Sequence, residues 1–193
     1  KNFIVSFFML VAVQSLASAQ CPTIDGVTTV YAARTTHFII CQHPNSTATL
    51  GYLSDVGTLV EESFSFITVT RNFRLPPGTA VNPTDDTQRE KIVVESRVTD
   101  DGYASTDAST PPIIRIDDNY EAAEGWRSTG TVALRASIVH EMFHASQQAY
   151  VDPLTVWKPV TMNWIWEGTS ALIEDELPAL DSVNTYLPAQ DNY

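Results

Sequence analysis

The chain has 193 residues, which is enough for one domain with a hydrophobic core and marginal for two. Hydrophobic residues make up 44% of it and charged residues 18%, a composition that indicates a globular protein and excludes a disordered one. The formal net charge of −12 disfavours nucleic acid and anionic membrane surfaces as partners, because like charges repel. We therefore expect no nucleic-acid partner.

Residues 1–19 have the pattern of a secretory signal peptide. Lys1 is a basic start, an apolar run extends from Phe3 to Val13, and residues 17–19 form an A-x-A cleavage signal. A buried N-terminal helix is the alternative, but the small residues at the end favour cleavage. The run is too short to anchor the protein in a bilayer, so we expect no membrane association after cleavage. The sequence thus predicts a secreted protein, extracellular or periplasmic, with a single domain over residues 20–193.

Only two cysteines occur, Cys21 and Cys41. In an oxidising compartment they could pair and tie the mature N-terminus to the first predicted strand. Neither lies near a Cys or His pair at zinc-finger spacing. The sequence leaves their pairing open.

The first half of the chain predicts a strand and then a long helix. Residues 36–42 are rich in β-branched and aromatic side chains, which is typical of a strand. Between residues 53 and 71, apolar side chains recur at helical spacing. They are Leu53, Val56, Val60, Phe64 and Ile67.

The second half predicts two strands and two helices. Strands are expected at residues 91–98 and 113–117, on either side of a loop at residues 99–112 that is rich in Asp, Ser, Thr and Pro. Helices are expected at residues 131–150 and 164–177. The order strand, helix, strands, helix, helix indicates an α+β domain.

The helix predicted over residues 131–150 contains an H-E-x-x-H motif formed by His140, Glu141 and His144. Histidines four residues apart lie on one helix face and can bind one zinc ion from the same side. Glu141 lies one step round the helix, where it can take a proton from a water bound at the metal's open position. A solvated helix face with two coincidental histidines is the alternative. The helix is apolar almost all round, which favours burial and a need for partners.

A catalytic zinc site needs a third protein ligand and one open position. The other histidines, His37 and His43, lie far upstream, whereas Glu167 lies near the start of the last predicted helix. Glu167 is therefore the candidate third ligand of one zinc ion per chain. Its alternative role is to compensate the dipole at the helix N-terminus. Gly168 is expected to let the two helices approach closely.

The H-E-x-x-H motif, followed by the W-x-x-E-G-x-x-A element that begins at Trp164, resembles the gluzincins, the thermolysin-like clan of zinc metallopeptidases. The run H-E-M-F-H-A-S-Q-Q-x-Y that begins at His140, the pair Glu174-Asp175 and the ending at Asn192-Tyr193 also resemble a group of secreted, mostly bacterial metalloproteases. This resemblance covers the chain from about Thr36 to its end. The resemblance implies a zincin-like core, with a mixed twisted sheet, an active-site helix and a following helix that carries the Glu ligand. It also implies a cleft beside an edge strand. Residues 113–117 are the candidate for this strand, and an ordinary buried strand is the equal alternative.

The same resemblance implies a zinc-dependent endopeptidase that acts on peptide or protein substrates. Water activated by zinc would attack the peptide bond, with Glu141 as the catalytic general base. The gluzincins usually add a Tyr or His that steadies the oxyanion. The only candidates after Glu167 are Tyr186 and Tyr193, and ordinary packing or surface tyrosines are the favoured alternative for both. The chain ends soon after Glu167, and we expect a C-terminal part of the cleft to be missing.

One departure from the clan concerns the residue that orients a histidine ligand. The clan has an Asp four residues after the Glu ligand, and this chain has Ala171 there. A ligating histidine usually needs an acceptor behind it. Asp175 is the favoured substitute, and the alternatives are Thr169, Ser170 and Glu174.

Two other functions fit the same residues. One is a non-catalytic secreted domain that keeps zinc as a binding element, and the other is a metal-free interaction module with a coincidental motif. The intact Glu141 favours the enzyme, and a structural zinc site would be closed by four ligands where only three are found. The sequence predicts neither the peptide specificity nor the oligomeric state.

Overall fold

The computed structural model describes residues 21–96, 104–120, 130–150 and 163–176. Within these ranges the protein is a mixed α+β structure with a five-stranded sheet, a short hairpin and three α-helices. The predicted α+β class is confirmed. The predicted signal peptide, Tyr186 and Tyr193 lie outside the described residues.

Five strands form one mixed sheet: β3 (Val30–Arg34), β4 (Phe38–Gln42), β5 (Glu90–Glu95), β6 (Ala104–Thr106) and β7 (Ile113–Asp117). Their spatial order is β3-β4-β5-β7-β6. The three central strands are parallel, whereas β3 and β6 are antiparallel to their neighbours. A separate hairpin pairs β1 (Thr23–Ile24) with β2 (Val27–Thr28). The strands predicted at residues 36–42, 91–98 and 113–117 correspond to β4, β5 and β7.

The prediction that residues 113–117 form an edge strand is wrong. β7 lies inside the sheet between β5 and β6, so the alternative of an ordinary buried strand is right. In the described part of the chain, the outer strand on this side is β6, which falls in the segment 99–112 that was predicted as a loop. β6 has only three half-buried residues, so hydrophobic periodicity gives no signal for it.

Helix α1 (Leu50–Phe64) continues into a wider π-type turn at Ser65–Thr70, which confirms the helix predicted over residues 53–71. The Thr49 hydroxyl caps it by accepting a hydrogen bond from the Tyr52 amide at 3.2 Å. All five apolar residues of the predicted stripe are buried. α1 thus connects the parallel strands β4 and β5 and packs its apolar stripe on the sheet.

The two faces of the sheet bury different partners. Alternate residues of the central strands pack with α1 and α2 (Gly130–Gln147) in the main core; these are Phe38, Ile40, Ile92, Val94, Ile114 and Ile116. On the opposite face, Ile39, Cys41 and Val93 pack with Ile24 of the hairpin. Cys21 and Cys41 form a disulfide with a Cα–Cα distance of 5.8 Å, so the two cysteines pair. The disulfide fastens the N-terminal segment to β4.

The two helices that carry the motif residues lie side by side. α2 and α3 (Asn163–Glu176) match the helices predicted over residues 131–150 and 164–177, and α2 is buried on nearly all sides as its composition predicts. After α2, one 3₁₀ turn covers Gln148–Tyr150. None of the helices in the described ranges combines the length and the apolar character needed to cross a bilayer.

Candidate metal centre and general base

The structure brings the three predicted metal ligands together. His140 and His144 lie one turn apart on α2, and Glu167 faces them from α3. One ligand atom of each residue lies within 4.8 Å of the other two. Oε2 of Glu167 is 3.1 Å from Nε2 of His140 and 3.3 Å from Nε2 of His144. These three side chains could hold a metal ion.

The spacing of these atoms fits a small divalent ion. Zinc in tetrahedral coordination, with bonds of about 2.0–2.2 Å, holds two of its ligand atoms about 3.3–3.5 Å apart. The two nitrogen–oxygen distances of 3.1 and 3.3 Å are close to that value. Two imidazoles and a carboxylate suit zinc and several other divalent metals. The donor set is therefore suited to a divalent metal, and zinc is one member of that class.

His140 is oriented by a carboxylate behind its ring. Nδ1 of His140 is hydrogen-bonded to Oε1 of Glu174, which leaves Nε2 to face Glu167. Burial lowers the pKa of His140, but the hydrogen bonds to Glu167 and Glu174 outweigh burial and raise this pKa to about 10. The bond to His140 in turn lowers the pKa of Glu167. At neutral pH the cluster therefore holds a proton that a bound metal ion would have to displace.

His144 is oriented by the amide of Gln147. Nε2 of Gln147 donates to the carbonyl oxygen of Trp166 at 3.2 Å and to Oγ1 of Thr169 at 2.7 Å. The amide oxygen of Gln147 then accepts from Nδ1 of His144 at 2.8 Å, and Oγ of Ser170 lies 3.0 Å from the same nitrogen. Because Nδ1 carries the hydrogen, Nε2 presents its lone pair towards Glu167.

Two further features favour the metal-binding form of His144. Burial, and then the charge of His140, lower the pKa of His144, so its imidazole is neutral. The indole of Trp166 stacks on the ring of His144, with centroids 5.0 Å apart and planes inclined by 7°. Stacking on one side and the bond to Gln147 at the edge together fix the plane of this imidazole.

Glu141 is buried beside the two histidines, with 8% of its surface exposed. It directly follows His140 on α2 and precedes His144 by three residues, which puts it beside the face that carries the two histidines. Oε2 of Glu141 accepts a hydrogen bond of 2.8 Å from the hydroxyl of Thr106 on β6. The predicted general base thus lies between the metal-binding face of α2 and the outer strand of the sheet.

Several expectations about neighbouring residues are now decided. Glu174 takes the position behind His140 for which Asp175 was favoured, and the side chain of Asp175 lies outside the described residues. The expected role of Gly168 is not seen in the described part of the chain, because a Cβ there would meet nothing within 4 Å. The first turn of α3 holds no acidic residue, so Glu167 lies too far along the helix for its alternative role at the N-terminus.

The two upstream histidines belong elsewhere. Nδ1 of His37 is 2.6 Å from Glu61, and the ring stacks on Phe64 at 4.1 Å. Nδ1 of His43 is 2.6 Å from Oδ1 of Asn45. Neither belongs to the cluster of His140, His144 and Glu167.

Sequence reasoning missed Gln147, the stacking role of Trp166, and Thr106. Gln147 follows His144 by three residues on the same helix face, a spacing that could have indicated it. Thr106 gave no signal, because its segment was predicted as a loop.

Compared with known proteins, the chain matches no family model, no curated protein and no solved structure.

Proposed function

We propose that the protein is a secreted zinc metallopeptidase that hydrolyses peptide bonds, with a zincin-like core of the gluzincin type. The convergence of His140, His144 and Glu167, with an intact Glu141 beside the first histidine, is the observation that carries this proposal. The relation of the elements supports it. α2 would be the active-site helix, α3 the helix with the third ligand, and β6 the strand that borders the cleft.

Each residue of the site has a role in this reaction. When bound by the three ligands, zinc would supply a Lewis acid that lowers the pKa of a water and polarises a carbonyl. Glu141 takes the proton of the attacking water and passes it to the leaving amine. Glu174 and Gln147 hold His140 and His144 in the orientation that presents Nε2 to the metal.

A peptide substrate would be held by main-chain hydrogen bonds along β6. In the described part of the sheet β6 is the outer strand next to β7, and its last residue contacts Glu141. Main-chain hydrogen bonds alone would align a peptide added beside such a strand with the site. This arrangement suits an endopeptidase that accepts varied side chains.

Secretion is part of the proposal. The N-terminal pattern of a basic start, an apolar run and a small-residue cleavage signal is typical of exported proteins. The disulfide between Cys21 and Cys41 is typical of an oxidising compartment.

The proposal is tested by hydrolysis of a fluorescently labelled unfolded protein by the wild type and by Glu141→Gln. We expect cleavage that a chelator abolishes and added zinc restores. Glu141→Gln should lower kcat at least about 100-fold while keeping its zinc, because a general base contributes roughly 10²–10⁴ to the rate. Asp55→Asn, at an exposed position on α1, is the control.

Two outcomes would contradict the proposal. Full activity in Glu141→Gln would show that Glu141 is not the base. A wild type that binds zinc and cleaves no peptide or unfolded protein would favour the non-catalytic zinc-binding domain instead.

A further inference from the structure

A single hydroxyl group links the outer strand of the sheet to the proposed general base. Oγ1 of Thr106 lies 2.8 Å from Oε2 of Glu141 and 2.8 Å from the main-chain oxygen of the same residue. Thr106 is half-buried and ends β6. One side chain of the strand therefore contacts both the backbone and the carboxylate of Glu141.

The position of Thr106 is itself held from two sides. In the turn that follows β6, Oδ1 of Asp107 accepts hydrogen bonds from the amides of Ser109 at 3.0 Å and Ile113 at 2.9 Å. The side chain of Gln148, just past the end of α2, donates to the carbonyl oxygen of Asp107 at 2.7 Å. β6 is thus fastened to β7 and to the C-terminal end of α2, so the hydroxyl of Thr106 stays beside Glu141.

The two oxygens of the Glu141 carboxylate are not equivalent. An ionised carboxylate only accepts hydrogen bonds, and the hydroxyl of Thr106 is the donor to Oε2. Within the described ranges, no side chain or amide donates to Oε1. Oε1 is then the oxygen left to take a proton from water. After it does so, the hydroxyl of Thr106 can still donate to Oε2 or to the main-chain oxygen, so neither protonation state leaves it unpaired.

We propose that Thr106 is a positioning residue, whose hydroxyl fixes the carboxylate of Glu141 so that Oε1 faces the attacking water. This inference rests on the proposed function, because it gives Thr106 a part in the reaction for which Glu141 is the base. A carboxylate held by one oxygen loses less rotational freedom when it meets the water, which lowers the cost of reaching the reactive geometry.

The kinetic test compares Thr106→Val, which removes the hydroxyl, with Thr106→Ser, which keeps it. Because a hydrogen bond to a charged group is among the stronger ones, we expect Thr106→Val to lower kcat about 10- to 100-fold. Zinc content should change little, since the hydroxyl of Thr106 bonds to Glu141 and not to the three candidate ligands. KM should also change little, because a peptide along β6 would be held by main-chain groups that the substitution keeps. Thr106→Ser should stay within about threefold of the wild type. Thr58→Val, which removes an exposed hydroxyl that bonds to Ser54 on α1, is the control.

A stability measurement distinguishes the two acceptors without reference to turnover. The urea midpoint is measured at saturating zinc for the wild type, Thr106→Val, Glu141→Leu and the double variant. If the hydroxyl serves the carboxylate, Thr106→Val lowers the midpoint clearly less in the Glu141→Leu protein than in the wild type. Equal losses in both would assign the hydroxyl to the main-chain oxygen alone and overturn the inference.

The two proposals fail in different ways. A wild type that binds zinc and cleaves nothing refutes the proposed function, and with it the part of Thr106 in catalysis. A wild type that cleaves, with Thr106→Val as fast as Thr106→Ser, refutes the role of Thr106 alone.

Discussion

Glu90 is the first residue of β5, and its side chain is fully buried. We expect the stability of Glu90→Gln, relative to the wild type, to increase as the pH rises. In the described part of the chain neither of its carboxyl oxygens has a hydrogen-bond partner. Burial raises the pKa of Glu90 to about 8, and the charge of Lys91 opposes this only in part. The folded protein therefore holds this carboxyl in its neutral form at neutral pH.

The size of the effect follows from the difference between the folded and unfolded pKa values of Glu90. A rise from 4.5 to about 8, at 1.36 kcal/mol per pH unit, corresponds to about 5 kcal/mol. Between these two pKa values the folded chain keeps a proton on Glu90 that the unfolded chain has lost. The resulting loss of folding stability is absent below about pH 4.5 and grows as the pH rises towards 8. Above about pH 8 the cost is complete and no longer changes with pH.

The assay is urea unfolding of the wild type and Glu90→Gln between pH 5 and pH 9. The difference in the free energy of unfolding should grow in favour of Glu90→Gln by about 4 kcal/mol over this range. Burying the new amide in Glu90→Gln has a free-energy cost that does not depend on pH. This cost therefore cancels when the differences in unfolding free energy at two pH values are compared. Asp55→Asn removes one negative charge from the exposed side of α1 and is the control for net charge. A difference that stays constant from pH 5 to pH 9 would refute the reasoning.

Three other predictions concern the support of the site and of the N-terminal segment. Glu174→Ala should weaken zinc binding about 10- to 100-fold, as measured by chelator competition. It should also lower the pKa of His140 in the metal-free protein, as measured by NMR titration. Unchanged zinc affinity would contradict the role of Glu174 in orienting His140. Gln147→Leu should weaken zinc binding about tenfold with the fold retained by circular dichroism, and wild-type affinity would show that the amide does not orient its ligand. Reducing the Cys21–Cys41 disulfide, which joins residues 20 apart in sequence, should cost about 3 kcal/mol in urea unfolding, and an equal midpoint with and without reductant would be the contrary result.

The sequence predicts well that His140, His144 and Glu167 come together, because their arrangement is mostly local. His140 and His144 are placed on one face by helical spacing alone, and Glu167 required only that the next helix pack against the first. The residue behind His140 was harder to assign. Glu174 and Asp175 differ by one step around α3, so the choice depends on how that helix is rotated, which its own sequence does not determine.

The outer parts of the sheet could not be predicted for a different reason. β3 is largely exposed and β6 has three half-buried residues, so neither shows a buried, alternating pattern. The order that places β7 inside the sheet depends on contacts between distant segments. For the same reason the contact of Thr106 with Glu141 is visible only in the folded structure.

The central claim is that His140, His144 and Glu167 bind one metal ion, and its most direct test is zinc affinity in the wild type and in Glu167→Gln. Glu176→Gln is the matched control, because Glu176 ends the same helix and pairs with Arg71 at 2.9 Å. We expect one zinc per chain in the wild type, a loss of affinity of at least about 100-fold in Glu167→Gln, and no change in Glu176→Gln. Equal affinity in Glu167→Gln and the wild type, or a wild type that binds no zinc, would contradict the account.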